Sequence, residues 1–315
     1  MLVREAFVLV GPTASGKSDV GHLLAERMQA AILSADSMLV YKGMDIGTAK
    51  ASRRERGHIP YLGVDLVAPD QVFDVWQYLQ LVGKQMAELP PGMPLIVVGG
   101  SGLYVKALTQ GLDTCAAASV TRKHWEGIMA DKGIEGLQDV LRERNADALL
   151  ALADPMNPRR LIRAIEQSYH ASSSGAEPRR TWKENGDRIP FVGLLPDNDM
   201  LRDRIARRVA CMYETGLLEE ARGLRNEYAT LSETANQAIG YAEAFAVLDG
   251  QITVKEAQER TVVRTNRLAK RQRTWFRHQA DVTWLSPAAE HDISKLAIDI
   301  ENIWRENGSV QLRIA

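Results

Sequence analysis

The sequence of 315 residues has only two cysteines, Cys115 and Cys211, and no CxxC pair. It therefore offers neither a disulfide framework nor a thiolate metal site. Long apolar stretches are also missing. The N-terminal run Ala6–Val10 is too short for the core of a signal peptide, and no later run approaches the roughly 18 apolar residues of a membrane span. We therefore expect a soluble, cytoplasmic protein that does not bind membranes. Separately, we expect it to act as a monomer.

An excess of charge of either sign is absent as well. The formal net charge is -1, and 45% apolar and 25% charged residues are ordinary for a soluble globular protein. A polyanion such as a nucleic acid can therefore bind only through a local basic surface. The length favours about two domains. The sequence contains no internal repeat of the kind that forms an elongated array.

The first segment, residues 1–112, alternates short apolar runs with helical patterns. Phe7–Val10, Ala31–Leu33 and Leu95–Val98 are typical of buried strands, and a helical spacing of apolar residues separates the first two. Strands that alternate with helices predict an α/β fold with a mostly parallel sheet and helices on both faces. We expect this segment to be the first part of the catalytic core.

The second segment, residues 113–187, is rich in Lys, Arg and Glu and contains no strand-like run, so we expect a mainly helical insertion. The third segment, 188–315, resumes the core. It contains a predicted strand at 191–195, helices over about 199–278 and a short strand at Val282–Leu285. Its last thirty residues show no clear pattern.

Residues 11–18, GPTASGKS, fit a phosphate-binding loop between a predicted strand and an amphipathic helix. Glycines allow successive backbone N–H groups to point at one anion, and the helix N-terminus adds partial positive charge. Lys17 would reach the terminal phosphates and the Ser18 hydroxyl could hold Mg²⁺. The full predicted phosphate-binding set is Gly11, Thr13, Ala14, Ser15, Gly16, Lys17 and Ser18. An ordinary strand–helix turn is the alternative.

This loop indicates a polyphosphate but does not say which one. A GTPase is disfavoured because the chain has neither Asn-Lys-x-Asp nor Asp-x-x-Gly. A small-molecule kinase stays open on this motif alone, and so does a transferase with a diphosphate leaving group.

A second signal lies in residues 35–50, ADSMLVYKGMDIGTAK. A buried strand that ends on Asp36-Ser37, level with the phosphate loop, places a carboxylate where open α/β sheets bind ligands. Asp36 is then either a ligand in a metal sphere or a proton acceptor. The alternative is an ordinary helix N-cap, a position that Asp favours.

At this point the chain resembles the tRNA dimethylallyltransferase family, whose members carry the same phosphate loop, the same run at 35–50 and VGG[TS]GLY, here 98–104. The likeness continues in the segments 154–166, 204–208, 216–220, 239–241 and 268–277. Three departures stand out. Ser101 replaces a frequent Thr, Ala242 replaces a frequent basic residue, and residues 113–119 lack the usual prolines.

The resemblance implies a P-loop NTPase-like core and transfer of a dimethylallyl group from dimethylallyl diphosphate, with Mg²⁺. The acceptor would be the exocyclic amine of the adenosine 3′ of the anticodon in tRNA. Asp36 would accept a hydrogen bond and then the proton from that amine, with Ser101 supporting the amine or the diphosphate. Arg204 and Arg208 would face the diphosphate, although a solvated basic face is the alternative.

The resemblance also places contacts to the tRNA anticodon loop. Ser37, Met38 and Leu39 would line the adenine entrance beside Asp36 and Ser101. The other implied contacts are Arg122, Arg159, Arg160, Leu161, Ile162, Arg163, Gly240, Tyr241, Arg267, Lys270 and Arg271. The last three belong to a basic stretch, 260–277, with seven Lys or Arg residues and no acidic one. On a helix this stretch could follow phosphates, or it could be a solvated face.

The nearest alternative function is an adenylate prenyltransferase that acts on free nucleotides and shares the motifs near the N-terminus. The insertion and the basic stretch speak against it, because a nucleotide-sized substrate needs neither. A small-molecule P-loop kinase is the alternative from another class.

Overall fold

A computed structural model describes residues 2–111, 119–152, 154–174, 182, 190–287 and 293–314, with backbone alone at 2–3, 119–123, 170–174 and 314. The chain divides into two compact units. One comprises residues 1–111 and 180–315, and the other comprises 112–179. The sequence-based boundaries, 113 and 187, lie close to this division.

The first unit contains a seven-stranded sheet. Its strands are β1 (Leu2–Val10), β2 (Ala31–Ser34), β3 (Tyr61–Leu62), β4 (Leu95–Gly99), β5 (Phe191–Leu194), β6 (Val282–Leu285) and β7 (Val310–Ile314). The order is β3-β2-β4-β1-β5-β6, with every neighbouring pair parallel. The prediction of an α/β fold with a mostly parallel sheet is confirmed.

Strand β1 has three partner strands along its length. Phe7–Val10 pairs with β4 and β5, whereas Leu2–Ala6 pairs with the antiparallel β7. Strand β7 and the helix before it, α12 (Ile293–Asn307), lie in the C-terminal stretch where the sequence showed no clear pattern. Trp304 of α12 stacks on Phe7 and closes the core there.

The other helices of this unit pack on the sheet or on one another. They are α1 (Lys17–Met28), α2 (Arg53–Arg56), α3 (Val75–Ala87), α4 (Gly102–Gln110), α7 (Asn198–Glu214), α8 (Leu217–Glu227), α9 (Glu233–Asn236), α10 (Tyr241–Leu248) and α11 (Val254–Gln279). Strand and helix residues such as Leu9, Leu24 and Ile96 are fully buried in one core cluster. Burial of each stabilises the fold by about 1.5–3 kcal/mol.

The second unit is helical over its described residues. It contains α5 (Ser119–Leu150), which is interrupted at Gly133 and Asn145, and α6 (Pro158–Ser174). Their contact surfaces form a separate core around Trp125, Leu137, Leu141, Leu161 and Ile165. Within the parts of the chain that the structure describes, every helix is too short or too polar to cross a bilayer.

Candidate active site

The phosphate loop joins β1 to α1 in a backbone conformation that few residues adopt. Gly11 has φ 156° and Gly16 has φ 89°, and between them Ala14 takes φ 62°. A side chain at Gly11 would meet the Leu194 carbonyl oxygen at 2.6 Å, so glycine is required there. Left-handed positions in such a loop form an anion-binding concavity.

A cavity of about 480 Å³ opens at this loop. Lys17, Ser18, Arg204 and Arg208 line it, together with Ala14, Ser15 and Gly16. Five of the seven predicted phosphate-binding residues therefore border one space, which the two arginines of α7 share, whereas Gly11 and Thr13 are not in its lining. Ser18 is exposed at its edge, in the first turn of α1.

The electrostatics of the cavity are dominated by the half-buried cations Lys17 and Arg208. Burial lowers the pKa of Lys17 to about 8, while attraction to Asp36 opposes that shift and repulsion from Arg208 adds to it. Burial also lowers the pKa of Arg208, and Asp36 again opposes the shift. An anion in the cavity would favour the charged form of Lys17.

The two arginines are held by specific contacts. Arg208 donates to Thr13 Oγ1 at 3.3 Å and to the Thr48 carbonyl at 2.9 Å, and Arg204 donates to the Ser15 carbonyl at 3.2 Å. Both arginines of α7 therefore contact the phosphate loop, whereas the alternative for them was a solvated face.

Thr13 lies in the loop, but its backbone N–H is already used. It donates to Gln272 Oε1 of α11 at 2.8 Å. The expectation that this amide is one of the phosphate donors is therefore corrected, since Gln272 occupies it. Thr13 contributes instead through its hydroxyl, which accepts from Arg208.

Asp36 and Ser101 follow neighbouring parallel strands, β2 and β4, and so emerge at one edge of the sheet. Asp36 Oδ1 accepts from Met38 N at 2.8 Å, and Ser101 Oγ accepts from Ser37 N at 3.2 Å. No helix begins after Asp36, because residues 37–40 form a bend and a turn. The N-cap alternative for Asp36 is therefore wrong.

The predicted entrance residues Ser37, Met38 and Leu39 are half-buried in that turn. Asp36 is itself half-buried, and it is close enough to Lys17 and Arg208 to shift the pKa of both. The Asp36 carboxylate therefore lies beside the cations that line the cavity. A proton acceptor and an anion-binding site are thus next to each other.

The basic stretch 260–277 lies within α11 and presents its charges on one side. Arg260, Arg267, Lys270, Arg271 and Arg277 are exposed. Arg264 and Arg273 are used internally, by an ion pair with Glu243 and by a bond to Asn198 respectively. The exposed members form the basic face of α11, by which we mean these five residues.

The opposite side of α11 packs against both catalytic loops. Gln272 contacts Thr13, and any side chain at Gly100 would meet the Gln272 amide. A side chain at Gly102 would lie 2.2 Å from the Trp275 ring. One helix therefore carries the basic face and also supports the phosphate loop and the Ser101 turn.

Four residues predicted to contact tRNA are buried in this structure. Tyr241 is fully buried and Gly240 is buried beside it, while Leu161 and Ile162 lie in the core of the helical unit. These four residues are therefore not surface groups in this structure, and direct tRNA contacts at their positions stay a prediction. Ala242, the departure next to Tyr241, is half-buried in α10.

The remaining predicted contacts of the helical unit are at its surface. Arg159 and Arg160 are exposed, Arg163 is half-buried, and all three line a shallow cavity of about 460 Å³. The side chain of Arg122 lies outside the described residues, as do residues 112–118.

Sequence reasoning assigned no role to three polar residues that shape the site, of which Gln272 and Glu243 are buried and Glu220 is half-buried. Gln272 holds Thr13, Glu220 binds the backbone of 45–47, and Glu243 accepts from Gly240 N and pairs with Arg264. Glu220 and Gln272 stand inside the motifs that carried the resemblance, so their positions were visible, but their partners depend on the tertiary fold.

No group of three or more His, Cys, Asp or Glu side chains that could hold a metal occurs among the described residues. The cavity offers the Ser18 hydroxyl as a ligand for a divalent ion, and the oxygens of a bound phosphate group would supply further ligands. That arrangement fits Mg²⁺, which is commonly bound through substrate phosphates and retains several waters.

The chain is similar in sequence to several known proteins. A family model described as IPP transferase matches residues 39–279. A tRNA dimethylallyltransferase of Bacillus licheniformis is 38% identical over 281 residues, 88% of this chain and 89% of that protein. One of Corynebacterium efficiens is 37% identical over 300 residues, 93% and 97% of the two chains.

The chain is also similar in structure to solved proteins. The tRNA isopentenylpyrophosphate transferase of Bacillus halodurans matches with TM-score 0.67 and 34% identity, over 96% of this chain and 98% of that one. A eukaryotic dimethylallyltransferase acting on tRNA matches with TM-score 0.77 over 97% and 80% of the two chains. At 23% identity, this second likeness bears on the fold alone.

Proposed function

The chain belongs to the IPP transferase family of tRNA dimethylallyltransferases, and we propose that it transfers a dimethylallyl group from dimethylallyl diphosphate to an adenosine of tRNA. The observation that carries this proposal is the cation-lined phosphate cavity with the Asp36 carboxylate beside it. The acceptor is the exocyclic amine of the adenosine 3′ of the anticodon.

In the reaction, the adenosine amine attacks the allylic carbon, and the carbon–oxygen bond to diphosphate breaks with its electron pair on the leaving oxygen. The amine proton passes to Asp36 as the new bond forms. A neutral aryl amine is a weak nucleophile, so alignment and stabilisation of the leaving group supply most of the rate. Lys17, Arg204 and Arg208 provide that stabilisation, and Ser101 supports the turn that carries Asp36.

Mg²⁺ is proposed as the cofactor, with Ser18 and the diphosphate oxygens as its ligands. When bound, the ion would neutralise part of the charge that develops on the leaving diphosphate. The basic face of α11 and the arginines 159, 160 and 163 are the proposed tRNA contacts. We expect the enzyme to act as a monomer in the cytoplasm.

The test is transfer from labelled dimethylallyl diphosphate to either unmodified tRNA or AMP, with Mg²⁺. The proposal requires label in tRNA and little in AMP. The adenylate prenyltransferase alternative requires the reverse, and incorporation into neither acceptor would reject both. ATP in place of the prenyl donor tests the kinase alternative, for which phosphorylation of a small acceptor would be needed.

A further inference from the structure

Three segments outside the reacting groups meet at one carboxylate, Glu220 of α8. Its oxygens accept from Asp45 N at 3.1 Å, from Ile46 N at 2.9 and 3.0 Å, and from Gly47 N at 3.3 Å. The Tyr241 hydroxyl donates to the same carboxylate. Three successive backbone N–H groups that converge on an anion form a concavity of the kind that binds phosphates, here filled by a side chain of the protein.

The groups around the Glu220 carboxylate restrict how it and the backbone of residues 45–47 can move. The Tyr241 hydroxyl also accepts from Gly47 N at 3.2 Å, and a side chain at Gly47 would lie 2.4 Å from the Tyr241 ring. Burial, reinforced by the charge of Glu220, raises the pKa of Tyr241, so its hydroxyl stays protonated and remains a donor. Because the bonds to Glu220 are charge-assisted, they are stronger than ordinary backbone contacts.

The anchored segment leads directly to the diphosphate cavity. Thr48, the next residue, accepts from Arg208 through its carbonyl at 2.9 Å, and Ala49 lines the cavity. Arg208 uses its other terminal nitrogen on Thr13 Oγ1 of the phosphate loop. The orientation of this guanidinium is therefore set from two sides, by the phosphate loop and by the backbone that Glu220 holds.

We propose that Glu220 is a positioning residue for the leaving group. By holding the amides of residues 45–47, it fixes the Thr48 carbonyl, and that carbonyl aims Arg208 at the diphosphate. This role rests on the proposed function for the identity of the natural ligand, but the anchor itself requires only that a diphosphate binds at Arg208.

The test is a double-mutant cycle in the full chain, with inorganic diphosphate and Mg²⁺ as the probe and calorimetry as the readout. Glu220→Gln loses the charge and one acceptor, so we expect about tenfold weaker diphosphate binding. Arg208→Ala should weaken binding more. The double variant should bind no more weakly than Arg208→Ala alone, because Glu220 acts through that arginine.

Glu219→Gln is the matched control, since Glu219 is exposed on the same helix, and it should bind diphosphate as the wild type does. Affinity for tRNA should be unchanged in Glu220→Gln, which a general loss of structure would not allow. Independent, additive losses in the cycle would overturn the proposal, as would a parallel loss of tRNA affinity.

If Glu220→Gln fails to fold, Tyr241→Phe enters the same cycle, because it removes the hydroxyl that donates to the carboxylate and accepts from Gly47 N but leaves the Glu220 carboxylate in place. The same non-additivity is expected, with a smaller single effect. A wild-type protein that binds diphosphate but prenylates no tRNA would reject the proposed function, while the cycle would still decide the role of Glu220.

Discussion

Replacing Lys17 with methionine should abolish turnover and, at neutral pH, make the fold more stable. Methionine keeps an unbranched apolar side chain one atom shorter than lysine and removes the ammonium, whose pKa burial lowers to about 8. The charged form is therefore less favourable in the folded protein than in the unfolded chain, where the pKa is 10.5. The Lys17 ammonium that is needed to bind diphosphate thus destabilises the folded protein when no diphosphate is bound.

The sign of the pH dependence follows from these two values. Below pH 8 both states carry the proton and the full cost is present. Between pH 8 and 10.5 the unfolded chain binds more protons than the folded protein, so the stability of the wild type rises with pH. Relative to Lys17→Met, the wild type should gain about 2 kcal/mol between pH 7 and pH 10.

Urea unfolding of both proteins at pH 7 and pH 10 measures this difference, because changes in packing and in other titrations cancel between them. Stability differences that are equal at the two pH values would refute the buried-ammonium argument. Turnover should fall at least about a hundredfold, as expected for loss of about 3 kcal/mol of transition-state stabilisation. Turnover within tenfold of the wild type would contradict the assignment of the phosphate loop.

Three further predictions concern other parts of the site. Asp36→Asn should lower kcat strongly and leave the affinity for dimethylallyl diphosphate with Mg²⁺ nearly unchanged, whereas a parallel loss of affinity would make Asp36 a metal ligand. Changing Arg267, Lys270 and Arg271 to Ala should reduce the slope of log tRNA affinity against log salt by about two, with diphosphate affinity as the control; an unchanged slope would make this a solvated face. Gln272→Leu should lower the free energy of unfolding of the empty protein by about 1–3 kcal/mol in urea, because it leaves the Thr13 amide without its acceptor, while Thr274→Val on the exposed side of α11 should not; equal effects of the two variants would argue against support of the loop by Gln272.

The parts of the fold that the sequence predicted are those with strong local patterns. Buried strands such as β2 and β4 read as apolar runs, and the phosphate loop is specified by its own glycines. Strand β3 has two residues and β7 pairs with the start of β1 from the other end of the chain, so neither leaves a local signal.

In the site, sequence reasoning found the groups that carry charge and missed those that orient them. Lys17, Asp36 and Arg208 stand out by type and position, and the structure brings them together. Tyr241 and Ile162 looked like contact residues because they lie in shared motifs, but a motif does not distinguish a residue that touches substrate from one that packs beneath it. Only burial and hydrogen-bond partners separate the two.

The most direct test of the central claim is nucleoside mass spectrometry on unmodified tRNA treated with the enzyme, dimethylallyl diphosphate and Mg²⁺. The account predicts one dimethylallyl group per tRNA, on the exocyclic amine of the adenosine 3′ of the anticodon, and almost none with Asp36→Asn. Prenylation at another nucleoside, or an undiminished product from Asp36→Asn, would contradict it.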